Sequence, residues 1–102
     1  MPLKYKEILD EEYYLDIREN TQFGVFISIF DKEVIEKETV LKGARYNKVL
    51  SGHEIKRILS NAVSIIFYGD KAVKLGIILK YVHPEAIAIN KGIKTAIYIK
   101  TF

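Results

Sequence analysis

Residues 75–89 read LGIILKYVHPEAIAI, and residues 23–37 read FGVFISIFDKEVIEK. The two stretches lie 52 positions apart and match in apolar pattern almost throughout. Each opens on a nearly unbroken apolar run, FGVFISIF or LGIILKYV. A strand apolar on both faces is a central strand covered on both sides. On this reading both runs are central strands, ended by turns at DKE and HPE. Pro84 in the second turn lacks the donor a ladder needs.

Outward from these runs the chain continues to match itself. SGHEIKRILSNA reads as a helix, with Ser51 and Glu54 at capping-box spacing. Ile55, Ile58, Leu59 and Ala62 fall on one face. PLKYKEILDEE reads the same way, with Pro2 at the first helical position and Tyr5, Ile8 and Leu9 at an offset of 50. EYYLDI (12–17) and SIIFY (64–68) are short, aromatic and β-branched, as strands are. ENTQ and GDKA read as turn connectors. VIEKETVLKGARYNKV and AIAINKGIKTAIYIKTF each read as strand, turn, strand, the second through an Asn90-Lys91-Gly92 hairpin loop.

Over 23–50 against 75–102, seven of 28 pairs are identical: Gly24/Gly76, Glu33/Glu85, Ile35/Ile87, Lys42/Lys94, Ala44/Ala96, Tyr46/Tyr98 and Lys48/Lys100. The expected fold is therefore α+β, mainly antiparallel. It is a single domain, 1–102, built from a duplicated α-β-β-β-(β) unit of ~50 residues, with repeats 1–50 and 51–102. Units of that size bury little core alone. They are expected to pack about a pseudo-twofold axis, with a groove between them.

Composition sets the outer bounds. Hydrophobic residues make up 49% and charged residues 28% of the 102 positions, a globular balance. Cys is absent, so thiolate nucleophiles, thiolate metal sites and disulfides are excluded. The opening MPLKYKEILDEE is charged throughout, unlike a secretory or transit segment. No apolar run approaches the ~20 residues of a membrane helix. The expectation is an intracellular protein with no membrane association. The abundance of Ile (16) and Lys (13) fits a hyperthermophile and equally an AT-rich genome.

Residues 1–50 carry 10 acids and 8 bases, a net −2, while residues 51–102 carry 3 acids and 8 bases, a net +5. This asymmetry suits either an oppositely charged partner or attraction between the two halves.

The retained pattern K-x-A-x-Y-x-K, at 42–48 and 94–100, holds the candidate binding residues. In a strand Lys42, Ala44, Tyr46 and Lys48 share one face, and Lys94, Ala96, Tyr98 and Lys100 share the equivalent one. The opposite face of the second copy, Ile93, Thr95, Ile97 and Ile99, is expected to be buried. Two readings stand. The Lys–Tyr faces form a basic-aromatic surface for a peptide or other partner. Alternatively, Tyr46 and Tyr98 pack across the axis while the lysines keep strand edges soluble.

Gly24 and Gly76 mark a bulge or a close backbone approach. Glu33 and Glu85 follow equivalent turns and read as solvated. His53 and His83 lack metal-ligand spacing. Neither a dinucleotide fingerprint nor a phosphate-loop motif is present. No catalytic set, metal or cofactor is expected.

Over its full length the chain resembles the small orphan proteins of the Acidianus filamentous viruses, which infect hyperthermophilic archaea. The likeness is carried by the opening MPLKYKEILDEEYYLDIRENTQFG and by the doubled segments. It implies a viral accessory protein in the host cytoplasm or on the virion, and supplies no catalytic residues.

Together these features predict a non-enzymatic interaction module, monomeric or homodimeric. It would bind an extended protein segment in the inter-repeat groove or at a strand edge. The alternatives are a nucleic-acid-binding protein using the basic second half and a purely structural protein that self-associates through exposed strand edges.

Overall fold

The structure is a computed structural model and describes residues 5–20, 22–36 and 45–101. The elements in chain order are α1 (Tyr5–Asp10), β1 (Glu12–Asn20), β2 (Gly24–Asp31), α2 (Lys32–Glu36), β3 (Lys48–Ser51), α3 (Gly52–Ile58), β4 (Ala62–Tyr68), α4 (Asp70–Ile78), β5 (Ala88–Asn90) and β6 (Ile93–Ile99). A 3-10 turn, Leu59–Asn61, joins α3 to β4. The strands form one sheet in the order β3-β1-β2-β4-β6-β5. Every neighbouring pair is antiparallel except β2–β4, which is parallel. The protein is α+β and mainly antiparallel.

Strand alternation decides what the helices cover. Tyr13 and Leu15 of β1, Ile27 and Ile29 of β2, and Ile65 and Phe67 of β4 point to one face and are buried. Ile8 of α1, Ile55 of α3 and Val73 and Leu75 of α4 close over them in the same core. Tyr13 can be buried because its hydroxyl donates to the Ile8 carbonyl at 2.7 Å.

Local chemistry explains several elements. Ser51 caps α3 through the capping box its spacing predicts: its hydroxyl accepts from Glu54 N–H, and Glu54 accepts from Ser51 N–H. The Asn20 side chain accepts from the amides of Gln22 and Phe23, turning the chain between β1 and β2. Lys91 and Gly92, both at positive φ, turn the β5–β6 hairpin.

Two expectations are corrected. Residues 75–82 are not a central strand. Leu75–Ile78 end helix α4, and the chain then turns through Leu79–Val82. Ala72, Val73, Leu75 and Gly76 are buried at helical spacing, so one face meets the sheet. Gly76 allows a close approach there: a Cβ would lie 3.0 Å from the Phe67 ring. Val34–Glu36 likewise belong to a helix, α2, and not to a strand. The two halves share an opening helix and strand, α1–β1 and α3–β4, and then differ. The first continues with a strand where the second continues with α4. In the second half α4 thus stands where the sequence led us to expect a strand.

Candidate functional site

Two places offer something to a partner: a cavity at one end of the sheet and a free edge along β6.

The cavity, of about 230 Å³, opens where the carboxyl ends of β2 and β4 meet the β5–β6 turn. Asp31, Glu33, Asp70, Lys91 and Lys94 line it. Asp31 ends β2 and is buried. Its oxygens accept from the first amides of α4, Ala72 N–H at 2.6 Å and Lys71 N–H at 3.0 Å. A side chain forty residues earlier in the chain thus caps this helix. Burial pushes the Asp31 carboxyl above its ordinary value, against the pull of those two bonds and of the Lys71 charge; Asp70 adds to the rise. Burial also pushes the Tyr13 hydroxyl up, with Asp31 and Glu11 adding to the effect.

Gly69 makes the cap possible. It sits at φ +110°, and a Cβ would come within 2.5 Å of the Asp31 carboxyl. Across the cavity Lys94 pairs with Asp70 at 3.4 Å. The fold itself therefore uses the helix start and the Lys94–Asp70 pair. Among the described residues no buried polar side-chain atom lacks a partner.

The β6 edge differs. The bonds Gly69 N–H to Lys94 carbonyl and Lys100 N–H to Val63 carbonyl flank the β4–β6 ladder. With the register Ile65↔Tyr98 and Phe67↔Ala96, they fix which backbone groups face β4: those of the even-numbered β6 residues. The odd-numbered residues face the other way. Ile93 and Thr95 meet Asn90 and Ala88 of β5. β5 begins at Ala88, so no described strand lies beyond it to meet Ile97 and Ile99. Among the described residues, two N–H and two C=O groups of β6 are left facing outward. The side chains of Ile97 and Ile99 are 63% and 68% exposed. They stand on the sheet face away from α1, α3 and α4, beside Ile66, the cross-strand partner of Ile97. Phe26, 40% exposed, lies further along that face.

Parts of the opposite side of the sheet are closed by side chains. Where β1 runs past β3, the Asn47 side chain plugs the gap: its amide accepts from Ile17 N–H at 3.0 Å and donates to Ile17 carbonyl at 2.8 Å. On β3 itself, Ser51 N–H is bonded to Glu54. Short strands and such plugs are how sheets avoid unwanted pairing.

The residues expected to bind are scattered. Lys42 lies outside the described residues. Tyr46 precedes β3, stacks on Tyr14 with ring centroids 4.4 Å apart, and is exposed. Lys48 begins β3. Tyr98 is half-buried, edge-on to Tyr81, on the helix-covered side. Lys94 and Lys100 lie at the two ends of β6 and are exposed. β3 and β6 stand four strand spacings apart, roughly 19 Å at about 4.8 Å each. The two Lys–Tyr groups thus do not share one surface.

The expected burial of the Ile93-Thr95-Ile97-Ile99 face is also corrected. Ala96 and Tyr98 face the core, and Ile97 and Ile99 face out. The small Ala96 side chain lets α4 approach, so the helix packs on that side. Ile97 and Ile99 were missed because an apolar strand face reads as interior unless the position of the covering helix is known.

No family model and no curated protein matches this chain. In fold it is similar to a solved structure, an uncharacterized conserved protein from Methanopyrus kandleri, with a TM-score of 0.59 and 14% identity. The match covers 89% of this chain and 96% of that one. At that identity the likeness is one of fold.

Proposed function

We propose that this protein is a non-enzymatic interaction module that captures an extended protein segment by strand addition at β6. The observation that carries the reading is the pair of outward-facing backbone units at Ile97 and Ile99, flanked by exposed apolar side chains. Main-chain bonds would hold the segment, and alternate side chains would rest against Ile97, Ile99 and Ile66. Of the expected residues, Lys94, Tyr98 and Lys100 lie on or beside this strand and would bias the choice of segment. Tyr46 and Lys48 belong to the far edge. The shared helix–strand opening and the matched residues of 23–50 and 75–102 suit an ancient duplication whose second copy exchanged a strand for a helix.

The test is amide hydrogen exchange on the labelled protein with and without extended peptides from a random library. Binding should slow exchange at Ile97 and Ile99 and leave Ile17 unchanged. Tyr98→Ala should weaken binding more than Tyr46→Ala. Binding without protection at Ile97 and Ile99 sinks the edge reading. Affinity for DNA or RNA that falls steeply with salt, without such protection, would put nucleic-acid binding in its place.

A further inference from the structure

The β6 edge is complementary to itself, and we infer that a second copy of this chain occupies it, β6 against β6 in antiparallel register about a twofold axis at Tyr98. This rests on the strand-addition reading and names its partner.

The register follows from which groups are free. Only Ile97 and Ile99 present outward backbone groups within β6 beyond the reach of β5. In an antiparallel pair, residues that exchange both bonds lie directly opposite. Placing the axis at Tyr98 sets Ile97 opposite Ile99 of the other copy, and the reverse, so the outward groups of both copies are satisfied together. Moving the axis to Ile97 would set Ile99 opposite Thr95, which already pairs with Ala88. Moving it to Ile99 would set Ile97 opposite Thr101, beyond the end of the strand.

Side chains agree with the same register. Lys100 falls opposite Ala96, so no like charges face each other. The four exposed isoleucines come together on one face and extend the apolar strip of Ile66 and Phe26. The partner strand would have to leave the sheet at Thr101, where Ala88 begins β5, and β6 does end just before, at Ile99. No lysine or proline among the outward-facing residues blocks this edge, unlike the edges proteins keep single. Isologous pairing of this kind is the commonest route to a homodimer.

Because the chain has no cysteine, a single introduced thiol reads the register directly. Tyr98→Cys places like residues opposite each other at a non-hydrogen-bonded pair, within disulfide reach. On mild oxidation it should form a covalent dimer, and Lys48→Cys on the far edge should not. Sedimentation from micromolar to millimolar concentration should show the unmodified protein passing from monomer to dimer. Ile97→Pro, which removes an N–H that β4 does not use, and Ile99→Lys should remain monomers with melting curves close to the parent. Should Tyr98→Cys disturb the packing on Tyr81, amide exchange at Ile97 and Ile99 serves instead, slowing as protein concentration rises.

The inference is overturned by a monomer at every concentration, by a dimer that Ile97→Pro and Ile99→Lys leave intact, or by equal crosslinking of both thiol variants. A persistent monomer whose Ile97 and Ile99 amides are protected by an unrelated peptide would refute self-pairing and leave strand addition standing. Protection by neither a second copy nor a peptide would refute both.

Discussion

Replacing Asp31 by alanine tests the central joint of the fold, because it sets two opposed effects against each other. The variant strips both acceptors from the start of α4. Ala72 N–H is buried and would be left unmatched, at about 1–3 kcal/mol. Lys71 N–H is part-buried, and water can replace most of its bond, for about 0.5–1 kcal/mol. Against this, the variant removes a carboxylate that burial makes reluctant to ionise. We expect a net loss of about 2 kcal/mol at neutral pH, or roughly 10 °C in Tm for a domain of this size.

The pH dependence carries the sharper content. The folded-state pKa of Asp31 is raised, so between the ordinary carboxylate value and the raised one the native chain holds a proton that the unfolded chain has lost. The stability contributed by this linkage is complete below the unfolded value and is lost as pH rises through the folded one. The alanine variant lacks it. The Tm gap between the two proteins should therefore be widest in acid and narrow as pH rises. Parallel melts from pH 3 to pH 7 (about the range over which carboxyls titrate) measure it. A gap that widens with rising pH would mean that the cap bonds outweigh burial. No gap at any pH would mean that Asp31 does not hold the helix.

Three further substitutions address other joints. Gly69→Ala should cost about 3 kcal/mol, since it combines positive φ with a Cβ pressed on the Asp31 carboxyl; an unchanged denaturant midpoint would contradict this. Asn47→Ala should cost about 1 kcal/mol or less and speed amide exchange at Ile17, whose N–H it releases; unchanged exchange would show that the plug is ornamental. Tyr13→Phe removes the buried bond to the Ile8 carbonyl and should lower stability by about 1 kcal/mol in chemical denaturation, an outcome that an equal midpoint would refute.

What the sequence disclosed followed from local chemistry. The Ser51–Glu54 box, strands at 12–17 and 64–68, and the hairpin at Asn90-Lys91-Gly92 each rest on neighbours in the chain, and each is present. The failure at 75–82 has a definite cause. An Ile-rich run suits a buried strand and a buried helix equally, and periodicity over eight residues cannot separate them. The helical spacing becomes visible only when the window opens at Ala72, and GDKA reads as a connector because its cap is not local. The acceptor comes from Asp31, at the end of another strand. The site was obscured for a similar reason: the even face of β6 is the inner one because α4 lies there, and the sequence of α4 reads as a strand.

The remote cap also orders events in folding. α4 has nine residues, too few to persist alone in water. Its cap arrives only when β2 lies alongside β4, a parallel pairing between segments nearly forty residues apart. Loop closure of that length precedes any gain from the contact it makes. Until the two strands meet, Asp70–Ile78 is a chain equally able to extend. The pairing of β2 with β4 is thus the step that commits this ambiguous segment to a helix.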